Sequence, residues 1–354
     1  MKVSEYMLAL TKELVETKKV ADSTAAAYVR SLYILNGKKP FKTLTFLKKV
    51  EDIDKIVVEY AENTQKALYT AITSVLSLVK EKPTYKKVYG EYYDKMMGKA
   101  NEIRAATDSA VKTEKEEANW ITWDDITKRM KELSDEVSKF AVAKHISPEQ
   151  YDILLKYAVL SLYTDTQPRR NQDYMDMFVV RKFTDELAKD VNYLILDGRA
   201  PKEFVFNKYK TAKTYGQQRL PIPEALGAVL SVYLKHHPLN KGNKKSTPSF
   251  RFLVNADGSP LAAVNAITRI LNKTLGKKVG SSMLRHIFLS SKYDIDDMNK
   301  DAGAMGHSVN EQKKYLKGSG NTPTLEVSDL PKISLNPNQN DDAEGSDEAD
   351  SALP

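Results

Sequence analysis

The sequence predicts a mainly α-helical protein with one small antiparallel β-sheet, arranged as two folded units and a polar tail. Three observations lead to that class. Apolar residues recur at helical spacing through most of residues 1–80 and again beyond residue 120. The period shortens to that of strands only between residues 192 and 222. After Gly318 apolar residues thin out, and Asn, Asp, Pro and Ser take over.

The first unit opens with amphipathic segments at 4–17 and 23–35, the second started by Ser23 as N-cap with Ala25–Ala27 behind it. Helical patterning continues over 50–61 and 64–78, with Asn63 or Thr64 as cap, and a lysine-rich helical stretch covers 85–115. The run KTEKEEAN (112–119) reads as a charged connection. A second unit starts near Trp120. A helix at 122–133 carries a capping signal, Thr122 with Asp125 three residues on. Another at 147–163 has Pro148 in its first turn and Ile153, Leu154, Tyr157, Ala158 and Leu162 on one stripe. Short apolar runs at 192–196, 203–207 and 219–222 are strands. Helices resume at 223–235, 262–275, 282–292 and 311–316, and the end, DDAEGSDEADSALP, is predicted to be disordered.

Composition limits the function classes. The 354 residues suffice for two ordinary domains. Mean hydropathy is −0.49, and no apolar run approaches the ~20 residues of a membrane span. The first 19 residues carry charges throughout and do not read as a signal peptide, so an intracellular location is expected. With no cysteine there is no disulfide frame, thiol nucleophile or zinc–thiolate site. The net charge of +7 is uneven: Gly320–Pro354 holds eight acidic residues against Lys332, so residues 1–319 carry +14. Such a body favours a polyanionic partner, although a lysine-rich solvated surface has the same composition.

Five residues fall in contexts that read together as one active site. They are Arg170 in PRRNQD, Lys213 in AKTYGQQRLPIP, Arg285 in SSMLRH, and His307 and Tyr315 in MGHSVNEQKKYLKG. Cationic and hydrogen-bonding groups around one tyrosine hydroxyl suit displacement of an alcohol from a phosphodiester. Guanidiniums pair with non-bridging oxygens and stabilise the charge of the transition state. No acidic cluster of magnesium-site character accompanies them, and neither a metal nor a cofactor is expected. His236-His237 lacks a carboxylate or cysteine partner, and His145 stands alone; both read as structural or surface groups. Lys277-Lys278 fits a phosphate contact and a solvated charge pair equally.

In these motifs and their order, residues 1–318 resemble the tyrosine recombinases, the phage-integrase family, most closely from Tyr151 to Gly318. The PRR…Asn…Asp-Tyr form with a SxLRH box is more similar to integrases of large DNA viruses and virophages than to bacterial ones. The resemblance implies a two-domain DNA clamp: a helical, SAM-like core-binding domain over 1–115, a catalytic domain over 116–318, and an acidic tail over 319–354. It implies an arginine with an acidic residue three positions on, which Arg170 and Asp173 satisfy and Arg169 does not. It places a lysine at a β-hairpin tip, where Lys213 has the register and Lys210 is the competitor. That lysine would protonate the departing 5′ oxygen. The box that usually reads His-x-x-Arg-His has Ser282 in its first position; serine can donate to a phosphate oxygen but is no base near neutral pH. His286 reads as packed or structural. Tyr315, eight residues after His307, is the nucleophile implied among 19 tyrosines, Tyr293 included.

The activity so implied is site-specific cleavage and rejoining of double-stranded DNA through a 3′-phosphotyrosyl intermediate, without metal or ATP. The implied assembly is a homotetramer on two duplexes, with residues 321–335 as an exchanged segment. The location is intracellular, in host cytoplasm or nucleus for a viral enzyme, with no membrane partner. A type IB topoisomerase shares this chemistry, and Ser282 leaves open a non-catalytic DNA-binding relative.

Overall fold

The computed structural model of the chain describes residues 3–108, 112–184, 186–240, 249–261 and 265–292. It is mainly helical with a five-stranded mixed sheet, and it divides into two compact units with the second beginning at Lys112.

The first unit is built from helices α1 (Glu5–Lys18), α2 (Asp22–Leu35), α3 (Val50–Val57), α4 (Glu62–Leu76) and α5 (Pro83–Asp108). Ser4 caps α1, accepting from the Met7 amide at 3.2 Å while its hydroxyl donates to the Phe41 carbonyl at 2.6 Å. The expected caps at Ser23 and at Asn63 or Thr64 are not used. Those residues lie inside helices that start one or two residues earlier, behind Ala21 and Ala61, with Asp22 and Glu62 in the first turns. Acidic residues there are favoured by the helix dipole, which removes the need for a side-chain cap. Every residue from Leu68 to Leu76 is buried, so α4 is the unit's central helix. Tyr92 of α5 is fully buried and donates to the Leu47 carbonyl at 2.9 Å. Asp54 accepts from Tyr69 at 3.0 Å and pairs with Lys95 at 2.6 Å, tying α3 to both long helices.

The second unit contains α6 (Glu114–Asn119), α7 (Trp123–Ser138), α8 (Pro148–Thr164), α9 (Asn171–Met175), β1 (Phe178–Val180), β2 (Tyr193–Asp197), β3 (Ala200–Phe206), α10 (Ala212–Tyr215), β4 (Gln218–Pro221), α11 (Glu224–Lys235), β5 (Ser249–Arg251), α12 (Ala266–Leu275) and α13 (Ser281–Lys292). The run expected as a charged connection holds α6, opened by a capping box between Thr113 and Glu116. The box at Thr122 and Asp125 is present, and Ser147 forms another with Gln150 ahead of Pro148. Helix α8 is the hub: Tyr151, Leu154, Leu155 and Ala158–Tyr163 are buried, and it contacts α7, α11, α12 and α13.

Strand order is β4-β3-β2-β1-β5. The sheet is not purely antiparallel as expected, because β1 runs parallel to β2. A parallel neighbour needs a crossover, and residues 181–192 supply the return. Strands β1 and β5 have three residues each, too few to show alternation in the sequence. One sheet face sends Val179, Leu194, Phe204 and Phe206 into the main core. The other buries Val180, Tyr193, Ile195 and Val205 beneath Phe183, Leu187 and Val191 of the crossover.

Candidate active site

The turn between α8 and β1 carries the first predicted arginine. Arg170 is the N-cap residue of α9, makes no side-chain cap bond, and is half-buried. Among the described residues its guanidinium has no ion pair. Its neighbour behaves differently. Arg169 Nε donates to Asp173 Oδ2 at 2.8 Å, and Arg169 Nη1 donates to Gln218 Oε1 at 2.8 Å. Its guanidinium carbon lies 3.9 Å from the Phe206 ring centroid and 5.1 Å from that of Tyr209. The expectation that Asp173 orients Arg170 is therefore corrected: its carboxylate bonds Arg169. The sheet explains this: Phe206 supplies a flat seat for the Arg169 side chain and Gln218 takes its other bond, which aims its guanidinium at Asp173.

Asp173 is 3% exposed, and its Oδ1 has no hydrogen-bond partner among the described residues. Burial raises its pKa above the ordinary value, while the positive charges of Arg169, Arg170 and Arg285 each act against that rise. The same Arg285 acts on the Tyr163 hydroxyl, whose pKa burial lifts well above 10. The charges of two predicted arginines, one on the α9 turn and one on α13, thus both bear on one buried carboxylate. A chain of bonds ties α8, α9 and α12 together: Tyr163 donates to Asn171 Oδ1 at 2.6 Å, and Asn171 donates to Thr268 of α12 at 2.8 Å.

Helix α13 buries Ser281, Leu284 and Ile287. That stripe leaves Arg285 half-buried, and it puts Ser282 and His286 on the exposed side. His286 is therefore not the packed histidine expected. Ser282 is open to solvent, three residues before Arg285 and so on the same side of the helix.

Lys213 sits on α10, inside the connection between β3 and β4. These strands pair antiparallel from Glu203↔Pro221 to Phe206↔Gln218, so residues 207–217 form the hairpin loop and Lys213 is exposed near its tip. Gln217 donates to Asn207 Oδ1 at 2.6 Å across the loop base, and Tyr209 donates to the Gly216 carbonyl at 2.7 Å. The competitor Lys210 is also exposed, one turn earlier in the same loop. Asn192, 4% exposed, anchors the outgoing side. Its Nδ2 donates to the carbonyls of Asp173 and Lys208, both at 2.8 Å. Its Oδ1 accepts from the amides of Asn207 and Lys208 at 2.9 and 2.8 Å. Asn192, Arg169 and Gln218 are the site-supporting residues that motif reading missed. An Asn opening an otherwise apolar strand, NYLIL, was the available signal.

The predicted His307 and Tyr315, the rival Tyr293, the helix at 311–316, the segment 321–335 and the acidic tail lie outside the described residues. Among the others, Lys277 donates to the Trp120 carbonyl at 2.7 Å, which gives that side chain a structural tie. His145 is exposed. His237 is buried, accepts at Nδ1 from the Leu239 amide at 3.2 Å and faces the Phe252 carbonyl through Nε2 at 3.0 Å. Burial lowers its pKa to about 4, which makes it a neutral structural group. Among the described residues no group of three or more His, Asp or Glu side chains is arranged to hold a metal ion, and no helix is long and apolar enough to cross a membrane.

Comparison of the chain with family models, with curated proteins and with solved structures gives no match.

Proposed function

We propose that the chain is a site-specific DNA recombinase of the tyrosine type, cleaving and rejoining duplex DNA through a 3′-phosphotyrosyl link at Tyr315. The observation that carries this reading is that Arg169 joins Asp173, three residues beyond Arg170, to Gln218 at the root of the hairpin that bears Lys213, while the charges of Arg170 and Arg285 both act on Asp173. Two guanidiniums from distant parts of the sequence can take the two non-bridging oxygens of one phosphate, and an ammonium on a mobile stem stands nearby for the leaving oxygen. The basic balance of residues 1–319 suits a DNA partner.

In the reaction the Tyr315 oxygen forms the new bond to phosphorus as the P–O5′ bond breaks. The O5′ atom takes a proton from Lys213, and the arginines and His307 hold the charge on the remaining oxygens. Tyrosine, with a pKa near ~10, releases its proton to solvent water, and the same cationic field favours its phenolate. Ser282 contributes a hydrogen bond to phosphate and takes no proton. A 5′ hydroxyl from a partner duplex reverses the step and exchanges strands within a homotetramer.

The test is covalent trapping on a randomised pool of nicked duplexes, followed by sequencing of the captured ends. Wild-type protein is expected to form a covalent adduct on a subset of sequences, and Tyr315→Phe none. Relaxation of supercoiled DNA without synapsis of two duplexes would assign a type IB topoisomerase instead. DNA binding with no adduct from the wild type would assign a non-catalytic DNA-binding protein, the outcome that Ser282 motivates.

A further inference from the structure

We infer that Arg169 is a positioning residue that latches the Lys213 hairpin to the Arg170 turn, so that the proton donor and the phosphate-binding arginine are held in one register. This rests on the recombinase reading for its chemical consequence, but its structural content stands on geometry alone. Phe206 is the last residue of β3 and Gln218 the first of β4, and they are paired across the hairpin. The Arg169 side chain crosses that mouth, stacked over Phe206 at 3.9 Å and bonded to Gln218 at 2.8 Å. Its other nitrogen holds Asp173, three residues beyond Arg170, at 2.8 Å.

Other bonds shape the loop or anchor its outgoing root, among them Asn207 Nδ2 donating to the Val191 carbonyl at 2.7 Å. The bonds from Gln217 to Asn207 and from Tyr209 to Gly216 lie within the hairpin and shape it without aiming it. Asn192 fixes only the outgoing root, at residues 207–208. The returning root is tied to α9 by Arg169. The ladder already pairs Phe206 with Gln218, so what Arg169 adds is a side-chain tie from that paired mouth to the α9 turn. An ammonium that must meet a departing oxygen at hydrogen-bond distance needs that tie.

Two variants test the latch. Arg169→Lys keeps a cation beside Asp173 but lacks the planar fork that spans Asp173 and Gln218. Gln218→Ala cuts the hairpin tie and leaves the buried ion pair whole, which protects folding. The first readout is amide hydrogen exchange over residues 207–217, expected to rise in both variants while α8 keeps its protection. The second is single-turnover cleavage of the trapped duplex, made with either oxygen or sulfur at the 5′ bridging position. A misplaced proton donor should slow cleavage of the oxygen-linked duplex by about 10²-fold in Arg169→Lys, and by less in Gln218→Ala.

With sulfur, the P–S5′ bond breaks to release a thiolate. A thiol pKa near ~8.5 removes the need for a proton donor, so both variants should cleave at close to the wild-type rate. Lys213→Ala should show the same sulfur rescue, and Arg170→Ala should not. Unchanged exchange over 207–217 would overturn the latch, and so would a cleavage defect equal for both leaving atoms, which would mean that Arg169 contacts the phosphate itself. If wild-type protein cleaves neither duplex, the recombinase reading fails and the exchange result alone decides the latch.

Discussion

Truncating each of the two adjacent arginines to alanine should have opposite consequences. Arg169→Ala removes the ion-pair partner of Asp173, a carboxylate 3% exposed whose Oδ1 already lacks a hydrogen bond. Breaking a buried pair from one side costs about 3–5 kcal/mol, because the remaining charge stays desolvated. Loss of the guanidinium over Phe206 at 3.9 Å acts in the same direction by about 0.5–2 kcal/mol, and the two losses overlap. Arg170 makes no cap bond and is half-buried, so Arg170→Ala should cost about 0.5 kcal/mol or less while abolishing cleavage.

The Arg169 deficit should also depend on pH. Burial already raises the Asp173 pKa against three opposing cations, and removing Arg169 raises it further. A group whose native pKa exceeds its unfolded value, near ~3.9 for Asp, adds stability below that value and loses it as pH climbs through the native pKa. The deficit is therefore greatest near neutrality and shrinks on acidification as Asp173 takes up a proton. Urea unfolding followed by tryptophan fluorescence isolates the relevant unit. The chain has two tryptophans, Trp120 and Trp123, both packed against the core of the second unit. Equal deficits for the two alanine variants, or an Arg169→Ala deficit that does not change with pH, would refute the reasoning.

Asn192→Ala should destabilise the second unit by about 2 kcal/mol in the same assay and raise exchange at residues 207–208, since it removes the partner of the buried Asp173 carbonyl and of the part-buried Asn207 and Lys208 backbone groups. Unaltered exchange there would show that the loop root is held by other contacts. For His237, burial lowers the pKa from about 6.5 to about 4. The neutral ring's contribution is thus complete above pH ~6.5 and is lost as pH falls toward 4, by about 3 kcal/mol in all. The stability difference between wild type and His237→Gln should shrink across that window; a constant difference would exclude linkage to this histidine.

Much of the architecture was legible locally. Thr122 with Asp125, and Ser147 with Pro148, mark helix starts by satisfying amides within one turn, so nothing distant is needed to read them. Strands β2, β3 and β4 were visible in their apolar runs, and the resemblance implied the hairpin position that Lys213 occupies. Tertiary structure decided what each arginine does. Asp173 lies within helical reach of both, and the choice went to Arg169 because Phe206 and Gln218, brought in by the sheet, complete its seat. Tertiary structure likewise decided the parallel pairing of β1, the exposure of His286 and the burial of Asn192. Caps and periodicities involve neighbours a few residues apart, and a sequence displays those directly. The partner of a buried polar group comes from chain that is distant in sequence, and only packing reveals it.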